Sequence, residues 1–201
     1  MKKRIIHADQ NCQFLQDVKE LKNRLPINCL FDKGKTACGG TSIAIENDKN
    51  TIIAMPYVNV IKNKEVQYPN ERCTHKLLGI YEGITEDKII DYINTNEIKK
   101  IAVTYDSLER LISTLLDNSI NVFEDYYLLV DEWHILLNSY AFRNKAVKKV
   151  LQYSKQFKEV TYMTATPIEK EFILKELKNI PVVEVQWANV TTINVQPIVV
   201  N

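Results

Sequence analysis

The chain has 201 residues, 45% of them hydrophobic, and a formal net charge of +1. This length suits one well-formed hydrophobic core and is short for two, so we expect a single domain. A balanced charge gives no general attraction to nucleic acid, so any such binding must depend on a local patch. No apolar run is long enough for a signal peptide or a membrane span. The four cysteines form no CxxC pair and have no histidine at metal-ligand spacing, which favours free thiols in a reducing compartment. We therefore predict a cytoplasmic protein with no membrane partner.

The first half of the chain alternates between predicted helices and strands. Apolar residues at helical spacing predict a helix over Asp9–Leu25, which Pro26 ends. A short strand is predicted at Ile27–Phe31, followed by a glycine-rich loop and a helix from Thr41. The next strands are predicted at Thr51–Met55, His75–Tyr81 and Lys99–Tyr105, and the next helices over Val58–Lys64, Thr85–Ile93 and Ser107–Leu116.

The same alternation continues in the second half. The predicted strands are Tyr126–Val130, Glu159–Ala165 and Val182–Trp187, and the predicted helices are Ile135–Phe157 and Ile168–Leu177. Strands and helices that alternate at this spacing imply right-handed crossovers, so we predict an α/β fold with a mainly parallel sheet. Residues 1–187 are predicted to form this domain. The tail, 188–201, has no helical pattern and is predicted to be a linker or the start of a further lobe.

One buried strand ends in two acidic residues. Tyr126–Val130 runs directly into Asp131 and Glu132. Polar side chains at the carboxyl end of a parallel strand point into the crevice where such sheets bind ligands. Two adjacent carboxylates there are costly to desolvate without a cation such as Mg²⁺. The alternative is an acidic helix N-terminus that only stabilises the helix.

The glycine-rich loop has the context of a phosphate-binding loop, because it joins a strand to a helix. Gly34 and Gly39 match the two loop glycines, and Thr41 matches the hydroxyl that binds Mg²⁺. Glycines let successive backbone N–H groups converge on a phosphate. The alternative is an ordinary glycine-rich turn.

The loop departs from the usual pattern at one position. Gly40 stands where a lysine is expected, so we predict that Lys33 or Lys35 supplies the missing charge, with a slight preference for Lys35, which lies inside the loop. Cys38 precedes the helix start near these lysines, which predicts a reactive thiolate. Its alternative is a small buried filler.

Four motifs resemble those of superfamily-two helicases of the DEAD/DEAH type. Asp131-Glu-Trp-His134 resembles their Walker B motif, and Met163-Thr-Ala-Thr-Pro167 resembles their third motif. Ala54-Met-Pro56 and Val103-Thr-Tyr105 resemble motifs Ia and Ib. The similarity covers most of 28–187 and implies a three-layer, RecA-like P-loop domain, the N-terminal lobe of such a helicase. The lysine ahead of the loop glycines also resembles helicase-like proteins of Bacteroidetes phages of the crAss-like group and of mobile elements.

The resemblance implies a role for each matching residue. Thr41 and Asp131 would hold the Mg²⁺ of bound ATP. Glu132 would polarise the attacking water, since phosphoryl transfer needs mostly positioning and charge stabilisation. His134 would bond toward Thr164 or Thr166 and couple the nucleotide state to the third motif. For His134 the alternative is a capping or packed histidine at a helix start.

The resemblance also implies binding of single-stranded or duplex nucleic acid near motifs Ia and Ib, through backbone groups and hydroxyls. Lys62, Lys64 and Arg110 follow these motifs and are candidates for phosphate contacts. The alternative for these three residues is a solvated helix face. Arg143 is a further candidate whose role the sequence leaves open.

The most favoured function is an ATP–Mg²⁺-binding lobe of a helicase or translocase. No Gln-x-x-Gly-Arg-x-x-Arg segment follows, so we expect a fragment that needs a second RecA-like lobe or a partner protein for hydrolysis. One alternative is a non-catalytic helicase-like docking module in a phage or mobile-element assembly, located in the host cytoplasm or the virion, and Gly40 favours it. A second alternative is a packaging-type P-loop ATPase.

Overall fold

The structure is a computed structural model that describes residues 2–139, 144–166 and 168–190. These residues contain one eight-stranded sheet in which all strand pairs are parallel, in the order β1-β8-β2-β7-β6-β3-β5-β4. The strands are β1 (Lys3–Ala8), β2 (Cys29–Asp32), β3 (Thr51–Met55), β4 (Leu77–Ile80), β5 (Lys100–Thr104), β6 (Tyr127–Asp131), β7 (Glu159–Thr164) and β8 (Val182–Trp187). The predicted α/β class with a parallel sheet is confirmed.

Helices cover both faces of the sheet, which gives three layers. They are α1 (Gly40–Glu46), α2 (Val58–Gln67), α3 (Glu86–Thr95), α4 (Leu108–Asp117), α5 (Val122–Asp125), α6 (His134–Ser139) and α7 (Asn144–Ser154). The hydroxyl of Thr85 caps α3 by accepting from the Lys88 amide at 3.4 Å.

The central strands are buried on both sides because their alternate side chains enter two separate cores. In β3, Ile52 and Ala54 pack with α3, α4 and α7, whereas Ile53 and Met55 pack with α1 and α2. Every residue of β3, β5 and β6 is buried, as expected of inner strands in a parallel sheet. The strand order therefore brings the carboxyl ends of β2, β7, β6 and β3 side by side.

The predicted helix over Asp9–Leu25 is wrong. This segment contains one short 3₁₀ turn, Leu15–Asp17, followed by separate turns in which Val18 bonds to Leu15 and Leu21 bonds to Val18. These residues point into the core at intervals of three, which imitates a helical spacing. Left-handed backbone at residues 22 and 23 then prevents a helix from continuing.

One other predicted helix needs correction. Ile168–Leu177 is not a helix, since the structure forms only the 3₁₀ turn Lys175–Leu177 there. Ile173 and Leu177 are both buried and lie four residues apart, which is a helical spacing, although no α-helix forms there. Within the helix predicted over Ile135–Phe157, the structure describes α6 and α7. Residues 140–143, which include Arg143, lie outside the described residues.

The sequence reading missed β1, the edge strand that pairs with β8. Four of its six residues are exposed, so Lys3–Ala8 lacks the apolar run that marks an inner strand. In the described part of the chain, no helix is long and apolar enough to cross a membrane.

Candidate functional site

Adjacent strand ends bring the predicted site residues together. Asp131 ends β6, Thr164 ends β7, and Lys33 follows β2 directly. Thr41, in the first turn of α1, donates its hydroxyl to Asp131 Oδ2 at 2.9 Å. The loop and the acidic strand therefore meet, although Thr41 and Asp131 are 90 residues apart in the chain.

Lys33 is the cation at the acidic strand end. Its Nζ lies 2.8 Å from Glu132 Oε1 and 3.9 Å from Asp131 Oδ1, and its side chain is only 9% exposed. Burial disfavours the charged amine, but the two carboxylates outweigh burial and raise the pKa of Lys33. Lys33 therefore stays an ammonium ion against the acids.

Asp131 is deeply buried and surrounded by polar groups. Burial raises the pKa of its carboxyl group, while Lys33 and the Thr41 hydroxyl act in the opposite direction. The buried Tyr105 hydroxyl donates to the Asp131 backbone carbonyl at 2.5 Å and so fixes the strand end. A buried carboxylate in this position favours a bound cation.

Glu132 has left-handed backbone with φ of +53°, which is uncommon for a residue with a long side chain. Its amide donates to Asp131 Oδ1 at 3.0 Å, which supports this turn. The turn directs Oε1 toward Lys33, while Oε2 lies 3.3 Å from His134 Nδ1. Backbone strain of this kind occurs where a side chain must be held in a set direction.

His134 connects the acidic motif with the third motif. Its Nδ1 lies 2.8 Å from Thr164 Oγ1, as the helicase resemblance implied. Thr164 Oγ1 donates to the Thr166 carbonyl at 3.3 Å and accepts from the Thr166 amide at 3.0 Å. Since the neighbours of Nδ1 are acceptors, we assign the ring proton to Nδ1. Pro167, the last residue of that motif, lies outside the described residues.

Gly40 fits its position because of close packing. An added Cβ there would lie 2.5 Å from Met163 Sδ and 3.4 Å from Leu15 Cδ1. The departure from the lysine of a usual phosphate loop thus accompanies a methionine packed beneath it. Gly39, in contrast, has φ of +84°, and an added Cβ would meet nothing nearer than the Phe14 ring at 3.9 Å.

Lys35 does not join Lys33 at the acids. Its Nζ lies 3.7 Å from the centre of the Trp187 ring, and the Trp187 indole donates to the Lys33 carbonyl at 2.7 Å. Gly34, with φ of +73°, lies against the same indole. The two loop lysines therefore occupy different environments.

The prediction of a reactive Cys38 thiolate is wrong. Cys38 is 1% exposed, and burial raises the pKa of its thiol even though Lys33 and Lys35 act in the opposite direction. Its Sγ donates to the Lys35 carbonyl at 3.1 Å. Cys38 is the small buried filler that was its alternative.

The basic residues after motifs Ia and Ib differ in exposure. Arg110 is engaged internally, since its guanidinium donates to the carbonyls of Ile84 and Tyr81. Lys64 is half-buried, and burial lowers its pKa although Asp131 acts to raise it. Lys62 is exposed, 5.3 Å from the centre of the Tyr81 ring. Of these three residues, Lys62 is the exposed one.

The sequence reading missed three aromatic residues around the site. Tyr105 supports Asp131, Trp187 holds the loop, and Phe14 lies beside Gly39 with 43% of its surface exposed. The position of Tyr105 at the end of a predicted strand, within the match to motif Ib, was the available signal for its place at the site. Nothing local marked Phe14 or Trp187.

Two cavities differ in their relation to the site. One of about 930 Å³ lies at the amino-terminal ends of β2, β6, β7 and β8, and its described lining includes none of the predicted site residues. A smaller one of about 210 Å³ is bordered by Asp32, Trp133 and Thr164 and so adjoins the site. The predicted chemistry belongs to the strand carboxyl ends and not to the larger cavity.

The sequence matches no family model. No curated protein is similar to it at a significant level. Among solved structures, the fold is similar to the crystal structure of the Pyrococcus furiosus Hef helicase domain, with a TM-score of 0.55 and 17% identity. The match covers 82% of this chain and 35% of that one, so the chain spans about a third of that domain's length. This likeness supports a helicase-like RecA fold and no finer relationship; the narrower likeness to phage proteins has no counterpart in it.

Proposed function

We propose that this chain is an ATP–Mg²⁺-binding, helicase-like lobe. The observation that carries the proposal is the cluster in which Thr41 bonds to Asp131 while Lys33 bonds to Glu132. These residues come from separate segments, and ordinary packing does not require a hydroxyl, two acids and a buried ammonium to meet at the sheet edge. The helicase-like RecA fold supports the same function.

The residues present fit Mg²⁺ bound together with phosphates. Mg²⁺ prefers oxygen ligands and is usually held by one or two carboxylates, with waters and substrate phosphates completing its shell. Thr41 Oγ1 and Asp131 Oδ2 are such oxygens, and they already lie 2.9 Å apart. In the described residues, no three His, Cys, Asp or Glu side chains form a metal-binding group. The bound ion would neutralise negative charge on the phosphates.

Lys33 fills the electrostatic role of the absent loop lysine. Its buried ammonium lies at the acidic strand end, where it can move from Glu132 to a phosphate by rotation of its side chain. That movement frees Glu132 Oε1 to orient a water molecule, while Oε2 stays near His134. Lys33 thus couples phosphate binding to release of the residue proposed as catalytic.

His134 and Thr164 form the proposed link to nucleic acid and to a second lobe. The bond between His134 Nδ1 and Thr164 Oγ1 joins α6 to the end of β7. Nucleic acid would lie at the ends of β3 and β5, where Tyr57 is 53% exposed and Lys62 is solvated. Hydrolysis would need arginines from a second RecA-like lobe or a partner protein.

A non-catalytic docking module is the second candidate. Two observations favour it. Met163 fills the space beside Gly40, where the side chain of the usual lysine would begin, and Lys33 already bonds to an oxygen of Glu132. Nucleotide binding without any turnover, even with a second lobe added, would identify this candidate.

Calorimetry with ATP, in the presence and absence of Mg²⁺, tests the proposal. We expect binding that requires Mg²⁺ and weakens at least about tenfold in Thr41→Val and Asp131→Ala, because each loses a charge-assisted or metal-directed contact. The matched control is Thr36→Val, an exposed threonine of the same loop. Equal affinity in all four proteins would refute the proposed site.

A further inference from the structure

We propose that Trp187 is a positioning residue of the phosphate loop. A phosphate bound in the loop would change the contacts of the Trp187 side chain at the end of β8. Trp187 lies outside the helicase-like motifs and is buried, with 7% of its surface exposed. The inference rests on the proposed nucleotide site for its ligand, but the positioning itself can be tested without one.

Lys33 is held from both sides through its backbone. Its amide donates to the Thr164 carbonyl at the end of β7, at 2.8 Å. Its carbonyl accepts from Trp187 Nε1 at the end of β8, at 2.7 Å. With both peptide groups anchored, the side chain of Lys33 has a fixed origin from which it reaches Asp131 and Glu132. Trp187 therefore helps to set the direction of the cation proposed to meet the phosphates.

Gly34 brings the loop backbone into contact with β8. A Cβ at this position would lie 2.3 Å from the Val185 carbonyl and 2.9 Å from Trp187 Cδ1. Only glycine allows this approach, because both its close contact and its φ of +73° exclude a side chain. The loop cannot move toward β8 unless the indole moves as well.

Lys35 makes the third contact, through its charge. Its Nζ lies over the face of the indole, 3.7 Å from the ring centre, which is a cation–π distance. A charge-assisted bond to a phosphate is stronger than such a contact, so a phosphate bound in the loop would draw Lys35 off the ring. The indole would then lose a cation on its face while keeping its bond to the Lys33 carbonyl.

The residues that follow Trp187 are hydrogen-bonded to the segment after β1, so a movement of Trp187 would reach that segment as well. The next residue, Ala188, donates its amide to the Ala8 carbonyl at the end of β1 at 2.9 Å. Asn189 donates to the carbonyls of Gln10 and Cys12, in the segment that leads to Phe14 beside the loop. The described end of the chain is thus tied to both sides of the phosphate loop.

Hydrogen exchange of the ligand-free protein tests the positioning role. In Trp187→Phe, which keeps an aromatic ring but loses the N–H donor, we expect the amides of residues 33–39 to exchange up to about tenfold faster. The matched control is Trp133→Phe, because Trp133 is also buried and its Nε1 has no hydrogen-bond partner among the described residues. Unchanged loop exchange in Trp187→Phe, or an equal change in both variants, would overturn the positioning role.

Fluorescence tests the coupling. The chain has two tryptophans, so Trp133→Phe leaves Trp187 as the only indole emitter. We expect ATP–Mg²⁺ to change its emission, and Lys35→Gln to shift the starting emission and abolish the response. Calorimetric heat without any emission change would overturn the coupling but leave the nucleotide site intact. Absence of heat in the unmodified protein would refute the proposed function and the coupling together, and loop exchange would still decide the positioning role.

Discussion

At the residue scale, the structure places two lysines of the glycine-rich loop, Lys33 and Lys35, in different environments. Lys33 and Lys35 flank Gly34, and the sequence favours Lys35 only slightly as the substitute for the missing loop lysine, because Lys35 lies inside the loop. The difference comes from Trp187, which lies 154 residues beyond Lys33 and takes up Lys35 on its ring face. A local sequence pattern cannot reveal a contact between residues that lie so far apart in the chain.

We predict that Lys33→Ala weakens ATP–Mg²⁺ binding by roughly ten- to a hundredfold, as expected for the loss of a charge-assisted contact in a buried site. Lys35→Ala should cost less than about tenfold, because this lysine must first leave Trp187. Calorimetry gives both affinities, with Lys62→Ala as a control for the loss of an exposed positive charge. A larger effect from Lys35 than from Lys33 would contradict the assignment.

The predicted roles of the acidic motif illustrate what sequence does provide. Asp131, Glu132 and His134 were identified from one strand and its following residues, and the structure places them beside Thr41 and Thr164. The structure gives the positions of these residues, and their roles in nucleotide binding and hydrolysis stay predictions. Parallel-sheet topology explains the success, because it brings strand carboxyl ends to one edge.

At the element scale, α1 packs so closely against β7 that a side chain at its first residue, Gly40, would displace the buried Met163 side chain. We predict that Gly40→Lys, which restores the usual loop residue, destabilises the fold by about 1–3 kcal/mol through overpacking against Met163. Met163→Ala should remove much of this cost, so the double variant should be more stable than the sum of the single effects predicts. Urea unfolding measures all three variants. Strictly additive effects would show that Met163 is not what excludes a side chain at position 40.

The far end of α1 is held by a buried lysine. Lys100, which is 0% exposed, directs its Nζ to the carbonyls of Ala44 and Lys49 and to the side-chain oxygens of Asn47 and Thr51. It thereby satisfies carbonyl groups at the helix C-terminus and joins α1 to the start of β3. Burial lowers the pKa of Lys100 to about 7.

This shift predicts a pH-dependent stability. Between pH of about 7 and the unfolded pKa of about 10.4, the unfolded state binds one more proton at Lys100 than the folded state. The free energy of unfolding should therefore rise with pH in this window, by up to about 1.4 kcal/mol per unit from this group, and fall toward pH 7. Urea unfolding from about pH 7 to about pH 9 should show that the stability difference between the parent and Lys100→Met changes with pH. A difference independent of pH would contradict the prediction.

Helices and strands could be predicted where the pattern of buried apolar residues matches the backbone hydrogen bonding of the element that forms. The inner strands β3 and β6 and the amphipathic helix α4 followed from their apolar patterns, with boundaries within a residue or two. The helix predicted over Asp9–Leu25 is wrong because the apolar residues of this segment reach the core through successive turns, which give them the same spacing as a helix. β1 failed because an edge strand needs no apolar run.

At the scale of the whole molecule, the four described arginines all lie away from the proposed site. Arg4, Arg24 and Arg72 line the cavity at the opposite edge of the sheet, and Arg110 binds backbone carbonyls. An arginine finger contributes roughly 10³–10⁵ in rate to phosphoryl transfer. The described part of the chain therefore offers no arginine in that role.

We predict that residues 1–201 bind ATP–Mg²⁺ but hydrolyse it very slowly, with no stimulation by single-stranded DNA or RNA and no unwinding. Unwinding needs two lobes that open and close on a strand. Single-turnover hydrolysis with and without nucleic acid measures this, with Glu132→Gln as the control. Rapid stimulated turnover that disappears in Glu132→Gln would mean that one lobe contains a complete active site.

The most direct test of the central claim is paramagnetic resonance with Mn²⁺, an ion suited to the same oxygen ligands as Mg²⁺. If Thr41 and Asp131 hold the ion of a bound nucleotide, the protein should immobilise Mn²⁺ when ATP is present and much less without it. Asp131→Ala should abolish the ATP-dependent signal, and Thr36→Val should retain it. An ATP-dependent Mn²⁺ signal of equal strength in Asp131→Ala, or no such signal in the unmodified protein, would contradict the claim.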